Sequence, residues 1–315
     1  MGKIAFLFPG QGSQIVGMGK TLAEADKNVK SFFEKADERL NFSLSKLIFE
    51  GPQEELTLTT NAQPALLTTS IAILEFFKQS NIKPDYVAGH SLGEYTALVA
   101  AGAFSFEDGV YAVRKRGEFM EEAVPNGVGT MAAVLGLGRD ELQSVTDEVT
   151  KEGNPVQLAN LNCPGQIVIS GSKLGVENAS VKAKEAGAKR VMPLVVSGPF
   201  HSQLMQPAAE KFKNVLNEME INNAEIPVIA NVSADEMTSA NDIKEKLIAQ
   251  LYSPVLWEDS VQKMISLGVD TFIEIGPGKV LTGLVKKIDK TVRTYSVSDY
   301  ETCMAVIESL KEEIQ

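Results

Sequence analysis

A serine between two glycines lies where an apolar segment gives way to a helix-forming one. Gly89-His90-Ser91-Leu92-Gly93 follows the apolar residues of YVAG and precedes EYTALVAA. G-x-S-x-G between a strand and a helix is the nucleophile-elbow pattern, in which a tight turn exposes the hydroxyl. A serine that only caps the helix explains the serine but not both glycines. The segment therefore predicts a strand, a turn and a helix, with Ser91 as a nucleophile at the carboxyl edge of a sheet.

A serine nucleophile needs a base near neutral pH, and histidine usually supplies it. The chain has only two histidines. His90 adjoins Ser91, so its side chain should leave the turn in another direction. His201, in the loop segment SGPFHSQ, is therefore the predicted base, although a lone histidine is more often structural. No acidic residue between 91 and 201 stands out as a third member, and a carbonyl or amide group could orient the imidazole instead.

Two backbone N–H groups are candidates for stabilising an oxyanion. One belongs to Leu92, because the first N–H groups of a helix have no partner within it. The other belongs to Gln11, in the glycine-rich segment FPGQGSQ after the first apolar run. A phosphate-binding loop is the alternative for that segment. Gln14 stands where a Walker A motif requires its first glycine, and Ile15 where G-x-G-x-x-G requires its third, so we exclude that alternative.

Strand and helix patterns alternate along most of the chain, which is typical of an α/β sheet with helices on both faces. Residues 127–197 differ, because their pattern is βαββαβ, the order of the ferredoxin-like split unit. We expect a discontinuous large domain of residues 1–126 and 198–315, hydrolase-like with a parallel sheet, into which the small subdomain is inserted. Helices are predicted at 21–37 and at 64–80, the second with its proline in the first turn.

Composition restricts the function classes. The 315-residue chain is 44% hydrophobic and carries a formal net charge of −11, which fits a folded enzyme better than a nucleic-acid-binding protein. Cys163 and Cys303 form no CxxC motif and are expected to be buried free thiols in a reducing cytosol. No apolar run reaches the roughly 18 residues of a membrane span. The N-terminal segment is interpreted as a strand rather than a signal peptide, so we expect a cytoplasmic protein.

Eight segments together resemble the malonyl-CoA:acyl carrier protein transacylases of type II fatty-acid synthesis. They occur in the order of that family and cover nearly the whole chain. The segments are FPGQGSQ at 8–14, NAQPAL at 61–66, GHSLGE at 89–94, RGEFM at 116–120, GPFHS at 198–202, NVSA at 231–234, QLYSPVLW at 250–257 and IEIGPG at 273–278.

The resemblance implies a fold and a catalytic set. The fold is a hydrolase-like α/β domain with an inserted ferredoxin-like subdomain, and the site lies in the cleft between them. Ser91 is implied as the nucleophile and His201 as the base of a Ser-His dyad. The N–H groups of Gln11 and Leu92 are implied as the oxyanion hole. The backbone carbonyl of Gln250 is implied to orient the imidazole, which would account for the missing acid.

The resemblance also implies a substrate and its contacts. Malonyl is taken from coenzyme A and passed to the phosphopantetheine thiol of acyl carrier protein, with the thioester as substrate and no metal or other cofactor. Arg116 is implied to pair with the malonyl carboxylate, and Gln250 is grouped with the substrate-binding residues. Phe200 is implied to influence acyl selectivity, while His90 and Asn162 shape the site. The family habit implies a monomer.

Two alternatives and one further hypothesis follow from the residues. A serine thioesterase or esterase shares the elbow but has no use for a buried cation such as Arg116, and a non-catalytic carrier-docking module has no use for a Ser-His pair. Arg114 lies two residues from Arg116 on one predicted helix, so the two should face opposite ways. Basic pairs at Lys189-Arg190 and at 286–287, near residue 290, are candidate docking sites for acidic acyl carrier protein, and solvated surface is the alternative.

Overall fold

The computed structural model describes residues 2–125 and 127–314, which form ten strands and fourteen α-helices. The strands are β1 (Lys3–Phe8), β2 (Tyr86–Gly89), β3 (Gly129–Leu135), β4 (Val156–Cys163), β5 (Gln166–Ser172), β6 (Arg190–Pro193), β7 (Val228–Ile229), β8 (Glu236–Met237), β9 (Val269–Ile275) and β10 (Arg293–Val297).

The helices lie between and after these strands, with five of them between β1 and β2. They are α1 (Lys20–Ala25), α2 (Lys27–Leu40), α3 (Leu44–Glu50), α4 (Gln53–Thr57), α5 (Thr59–Phe77), α6 (Leu92–Ala100), α7 (Phe106–Ala123), α8 (Arg139–Lys151), α9 (Lys173–Glu185), α10 (Gln206–Glu218), α11 (Ala240–Gln250), α12 (Trp257–Ser266), α13 (Val280–Ile288) and α14 (Tyr300–Ile314). None of these described helices is long and apolar enough to cross a bilayer.

The large sheet has the strand order β10-β9-β1-β2-β7-β8 and is parallel except for β8. Its central strand β1 sends Phe6 and Phe8 into one apolar core and Ala5 and Leu7 into another. Both faces of the strand are therefore covered, which explains its continuous apolar sequence. The carboxyl ends of β1 and β2 lie side by side, because Phe8 is in register with Gly89. This brings the loop after β1 next to the serine turn.

The small sheet is antiparallel, with the order β4-β5-β3-β6. Helices α8 and α9 connect its strands in the βαββαβ order and cover a separate apolar core. The predicted α/β fold with a ferredoxin-like subdomain is confirmed. The proposed domain limit at residue 126 falls on a residue outside the described ranges, as do the outer limits at 1 and 315.

Two helix predictions were wrong in detail. The helix predicted at 21–37 is interrupted at Asp26, whose carboxylate accepts from the N–H groups of Asn28 and Val29 at 2.7 and 3.2 Å. This side chain caps α2 and separates it from α1, because an aspartate that accepts backbone N–H groups starts a new helix.

The helix predicted at 64–80 begins earlier, at Thr59, so that Pro64 lies inside α5 rather than in its first turn. A proline inside a helix leaves the carbonyl four residues before it without its usual partner. Here that carbonyl belongs to Thr60, and it accepts from Nη1 of Arg114 at 3.0 Å. A tertiary contact thus offsets the cost of the proline. Both cysteines are buried free thiols, as predicted.

Candidate active site

Ser91 lies in a strained turn between β2 and α6. Its backbone has φ 52° and ψ −106°, a region that costs a non-glycine residue on the order of 1–3 kcal/mol. The two flanking glycines are required by close packing. A Cβ on Gly89 would lie 1.9 Å from the carbonyl carbon of Gly93, and a Cβ on Gly93 would lie 2.0 Å from the carbonyl oxygen of Phe8. The turn therefore has the geometry that the G-x-S-x-G pattern predicts.

His201 lies within hydrogen-bonding distance of the serine. Its Nε2 is 2.8 Å from the Oγ of Ser91, and its Nδ1 is 2.9 Å from the backbone oxygen of Gln250. A carbonyl oxygen only accepts, so it holds a proton on Nδ1 and leaves Nε2 as the acceptor. The arrangement matches the dyad implied by the resemblance, with a carbonyl in place of a carboxylate.

The imidazole is kept neutral by its surroundings. His201 is only 3% exposed, and burial, assisted by the positive charge of Arg116, lowers its pKa to about 3. A lowered pKa makes His201 a weak base in the free protein. An anion that neutralises Arg116 would remove one of the effects that lower the pKa of His201.

Arg116 is a buried cation beside the nucleophile. It is 1% exposed, and its Nη2 donates to the Oγ of Ser91 at 3.1 Å and to Oε1 of Gln250 at 3.0 Å. Its Nη1 donates to Oε1 of Gln63 at 2.8 Å, whereas Nε has no partner in the described part of the chain. Burial lowers the pKa of the guanidinium.

These partners of Arg116 are a hydroxyl and two amide oxygens, all neutral. Among the described residues, no carboxylate lies within ion-pair distance of Arg116. A buried charge is costly unless it is paired. The site is therefore electrostatically prepared for an anionic group next to Ser91.

A cleft of about 750 Å³ opens above the serine. The large domain contributes Gln11, and the small sheet contributes Met131 and Asn160. The side chain of Gln11 donates to the Oγ1 of Thr59 at 3.1 Å, which in turn lies 2.9 Å from the Oγ of Ser197. These contacts fix the loop after β1 against the connection that leaves the small sheet.

The backbone N–H of Leu92 is the first of α6, where a helix leaves its N–H groups free to bind an oxyanion. Leu92 itself is buried and lines the cleft together with Gln11. The two predicted oxyanion donors are therefore on the same cleft as Ser91. Their role as oxyanion donors stays a prediction.

The remaining predicted site residues differ in whether they line the cleft. Phe200 is largely buried and lines the cleft. His90 also borders it, but its Nε2 is 2.8 Å from Oδ1 of Asn162, and its ring packs against Trp257. Burial lowers the pKa of His90. Gln250 is fully buried, and its side chain contacts Arg116 and the carbonyl of Ser91.

Several residues that shape the site were not assigned from the sequence. Gln63 and Met120 lie in the segments NAQPAL and RGEFM, so the quoted motifs contained the signal. The Nε2 of Gln63 contacts the sulfur of Met120 at 3.6 Å, which connects Arg116 to the cleft wall. Asn160 lines the cleft, whereas the predicted Asn162 contacts His90.

Gln157 on β4 joins the small sheet to the loop of the base. Its Nε2 donates to the backbone oxygens of His201 at 3.2 Å and Tyr252 at 3.4 Å, and its Oε1 accepts from the N–H of Gln203 at 3.0 Å. No local pattern in the sequence indicated this contact, because the partners are 44 residues or more apart.

Comparison with known proteins decides the family. Residues 5–313 match the family model described as the acyl transferase domain. The chain belongs to the acyl transferase domain family. A curated relative from Bacillus subtilis, named malonyl CoA-acyl carrier protein transacylase, is 67% identical over 313 residues, 99% of each chain. The resemblance noted in the sequence is thus confirmed.

Solved acyl transferase structures have the same fold. An acyl carrier protein S-malonyltransferase from Vibrio cholerae superposes with a TM-score of 0.94 at 47% identity, covering 96% of this chain and 99% of the other. A malonyl-transacylase in complex with a type II PKS acyl-carrier protein superposes equally well, with a TM-score of 0.94 at 42% identity over 98% of this chain and 99% of that one.

The described part of this acyl transferase contains no group of three or more histidine, cysteine, aspartate or glutamate side chains that could hold a metal ion. The cleft presents the hydroxyl of Ser91, the imidazole of His201, the guanidinium of Arg116 and backbone N–H groups. Such a set suits acyl transfer through a covalent serine ester.

Proposed function

We propose that this protein transfers malonyl from coenzyme A to acyl carrier protein through a malonyl ester of Ser91. The observation that carries the proposal is the buried charge of Arg116, which lies beside the nucleophile and has only neutral partners. In malonyl, a single methylene separates the carboxylate from the thioester carbon. A carboxylate bound to Arg116 therefore brings the thioester carbon to the Oγ of Ser91.

Acylation proceeds by general-base catalysis. His201 Nε2 accepts the proton of Ser91 as Oγ attacks the thioester carbon, and the oxyanion that forms binds the N–H groups of Gln11 and Leu92. The C–S bond then breaks, and the imidazolium returns its proton to the sulfur of coenzyme A. The product is malonyl-Ser91 with His201 neutral again.

Binding of the carboxylate also strengthens the base. Because the charge of Arg116 contributes to the low pKa of His201, a malonyl carboxylate that neutralises this charge raises the pKa of the imidazole. The second half-reaction repeats the first in reverse, with the carrier-protein thiol as nucleophile. His201 removes the thiol proton, and the regenerated Ser91 receives it.

A basic surface where the small sheet meets α13 supports docking of an acidic carrier protein. Arg190 is paired across β6 and β3 with Leu135, which is paired with Gln166 on β5. The side chain of Gln166 accepts from Nζ of Lys287 at 3.0 Å. The segment of Lys189 and Arg190 is thus connected to Lys287 through neighbouring strands. We name these three residues the basic edge surface.

A serine thioesterase remains the alternative, and it uses the same elbow. The specific observation against it is Arg116, since a site for uncharged esters gains nothing from a buried cation with only neutral partners. The proposal also includes a cytoplasmic location and catalysis without a metal or other cofactor.

The test is intact-mass detection of the acyl-enzyme. The wild-type protein incubated with malonyl-CoA should gain one malonyl group, release it to the carrier thiol faster than to water, and lose this ability in Ser91→Ala. Malonyl transferred mainly to water would favour the thioesterase. An adduct that forms at an ordinary rate in Ser91→Ala would refute the nucleophile assignment.

A further inference from the structure

Two amide side chains hold the strained backbone of the nucleophile. The N–H of Ser91 donates to Oδ1 of Asn231 at 2.7 Å, and its carbonyl accepts from Nε2 of Gln250 at 2.9 Å. Asn231 also donates from Nδ2 to the carbonyl of Gly89 at 2.7 Å. A non-glycine residue at φ 52° stays there only when its surroundings impose that conformation. These contacts supply the constraint.

Both amide residues are in turn held by one buried carboxylate. Glu94, in the first turn of α6, is 1% exposed. Its Oε1 accepts from the backbone N–H of Asn231 at 3.1 Å, and its Oε2 accepts a short hydrogen bond from Nε2 of Gln250. A carboxylate with two buried donors is the common anchor of the two groups that fix Ser91.

The carboxylate also determines which way the amide of Gln250 points. An ionised carboxylate only accepts hydrogen bonds, so it requires the NH₂ group of Gln250 on its side. The amide oxygen is then directed to Nη2 of Arg116, at 3.0 Å. A reversed amide would place its NH₂ group against the guanidinium, donor against donor. Glu94 therefore also influences where Arg116 presents its charge.

We propose that Glu94 is a positioning residue for acyl transfer, which acts through Gln250 and Asn231 to hold the Ser91 turn and the Arg116 guanidinium in their reactive geometry. This inference rests on the proposed function and extends it to a residue that touches neither substrate nor nucleophile side chain. The charge is not placed there for the helix alone. An acidic residue in a first helical turn interacts favourably with the helix dipole without being buried, whereas Glu94 is buried and bonded to one side-chain donor and one backbone donor.

Glu94→Gln tests the proposal with a nearly isosteric change. A glutamine presents one acceptor and one donor, so either Gln250 or the N–H of Asn231 must face a donor. We expect the rate of acyl-enzyme formation per active site to fall roughly 100-fold for both malonyl-CoA and acetyl-CoA, the size of effect that small misplacements of reacting groups produce. Glu107→Gln is the matched control. It makes the same change in the exposed first turn of α7 and should leave both rates unchanged.

A double-mutant cycle separates positioning from a purely structural role. Gln250→Met removes the amide and keeps the backbone carbonyl that bonds His201. If Glu94 acts through this amide, Glu94→Gln should cost much less in the Gln250→Met background than in the wild type. Additive losses, or a lower melting temperature with an unchanged rate per active site, would overturn the proposal.

A second variant keeps the test decisive if Glu94→Gln does not fold. Glu94→Asp retains the charge but withdraws the carboxylate by one methylene, and a reduced rate with both thioesters would support the proposal, whereas a wild-type rate would overturn it. Failure of the proposed function is distinguishable, because it would appear as a wild-type protein that forms no malonyl adduct. Failure of this inference alone would appear as a wild-type protein and a Glu94 variant that acylate equally fast.

Discussion

Arg116 and Ser91 are joined by a hydrogen bond of 3.1 Å from Nη2 to Oγ. The cation that we assign to the substrate carboxylate thus contacts the nucleophile itself. A bound carboxylate must share or displace this bond, whereas the hydroxyl of Ser91 can donate to Nε2 of His201 in either case, because a hydroxyl donates one hydrogen bond and accepts others. The charge of the substrate therefore acts on both the nucleophile and the base. A carboxylate on Arg116 binds the cation that contacts Ser91, and it offsets a charge that lowers the pKa of His201.

The first prediction concerns Arg116→Ala. Truncating one partner of a buried charge pair typically costs ~2–5 kcal/mol, so kcat/KM for malonyl-CoA should fall by at least ~30-fold, since each ~1.4 kcal/mol is a factor of ten. Acetyl-CoA carries no carboxylate and should react as well as before or better. Steady-state kinetics with both thioesters measure this, and an equal loss for the two would mean that Arg116 supports the fold and not the substrate.

Arg114→Ala is the matched control for Arg116, and it leads to a prediction of its own. Arg114 faces away from the serine and donates to the carbonyl of Thr60, to Asn61 and to the carboxylate of Glu118. Removing it leaves the carbonyl that Pro64 exposes without its partner, at a cost on the order of 1–3 kcal/mol. The melting temperature should fall while both rates per active site stay unchanged. Altered selectivity in this variant would contradict the assignment of the two arginines.

A third prediction concerns pH. Burial raises the pKa of Glu94 to about 7, although Arg116 on α7 and Lys246 on α11 oppose the shift. The pKa of His201 is lowered to about 3, so the base stays neutral in the pH range in which Glu94 titrates. Below about pH 7, Glu94 gains a proton and loses one of its two acceptor positions. The kcat/KM for acetyl-CoA should therefore fall as the pH decreases through that value.

The controls for the pH prediction are kinetic and thermodynamic. In Glu94→Gln the acid limb should disappear, because no group titrates at that position, and an unchanged limb would assign it elsewhere. Since the folded pKa is raised from 4.5 to about 7, the folded protein binds more protons than the unfolded chain in that window. The contribution of Glu94 to the free energy of unfolding should accordingly decrease as the pH rises from 4.5 to 7, and Glu94→Gln should lack this slope.

Gln157 provides the fourth prediction. The backbone of His201 has φ 57°, which needs external restraint in a non-glycine residue. Gln157 bonds the carbonyl of this residue and the N–H of Gln203. Gln157→Ala should lower the acylation rate roughly 10-fold with malonyl-CoA and acetyl-CoA alike, because a misplaced base affects both. Gln143→Ala, on the exposed face of α8, is the control, and a loss restricted to malonyl would argue that Gln157 contacts substrate instead.

The sequence predicted those parts of the fold and site that depend on local patterns. The βαββαβ order of the small subdomain and the tight turn at Ser91 follow from short segments with strong periodicity or obligatory glycines. The start of α5 was missed because a bond from Arg114 to Thr60 compensates for Pro64. The helix propensity of the residues near Pro64 cannot indicate that Arg114, 54 residues from Thr60, bonds the exposed carbonyl.

The residues that support the reactive groups of the site were harder to predict from the sequence than the reactive groups themselves. Glu94 and Asn231 were present in the quoted segments GHSLGE and NVSA, but their roles depend on contacts across 137 residues. The carbonyl that orients His201 is a backbone atom, so no side-chain type in the sequence marks it. Only the family resemblance named Gln250, and the residue's own side chain proved to connect more site groups than its carbonyl does.

The last prediction concerns the basic edge surface. Its residues lie near Leu135 on β3, whereas Met131 on the same strand lines the cleft. At roughly 3.4 Å per residue, the two positions are about 14 Å apart. The long flexible arm of a carrier protein can bridge this distance. Charges at the rim of an interface mainly set the association rate and its salt dependence. Arg190→Glu and Lys287→Glu should therefore slow transfer from malonyl-Ser91 to acyl carrier protein and flatten its dependence on salt. Acylation by malonyl-CoA should stay near the wild-type rate.

Lys27, an exposed lysine on α2, provides the charge-matched control, because Lys27→Glu should affect neither half-reaction. Single-turnover measurements of the two half-reactions separate the outcomes. Equal slowing of both would show that the surface attracts the phosphates of coenzyme A and not the carrier protein. A docking site that only the carrier protein uses leaves the first half-reaction intact.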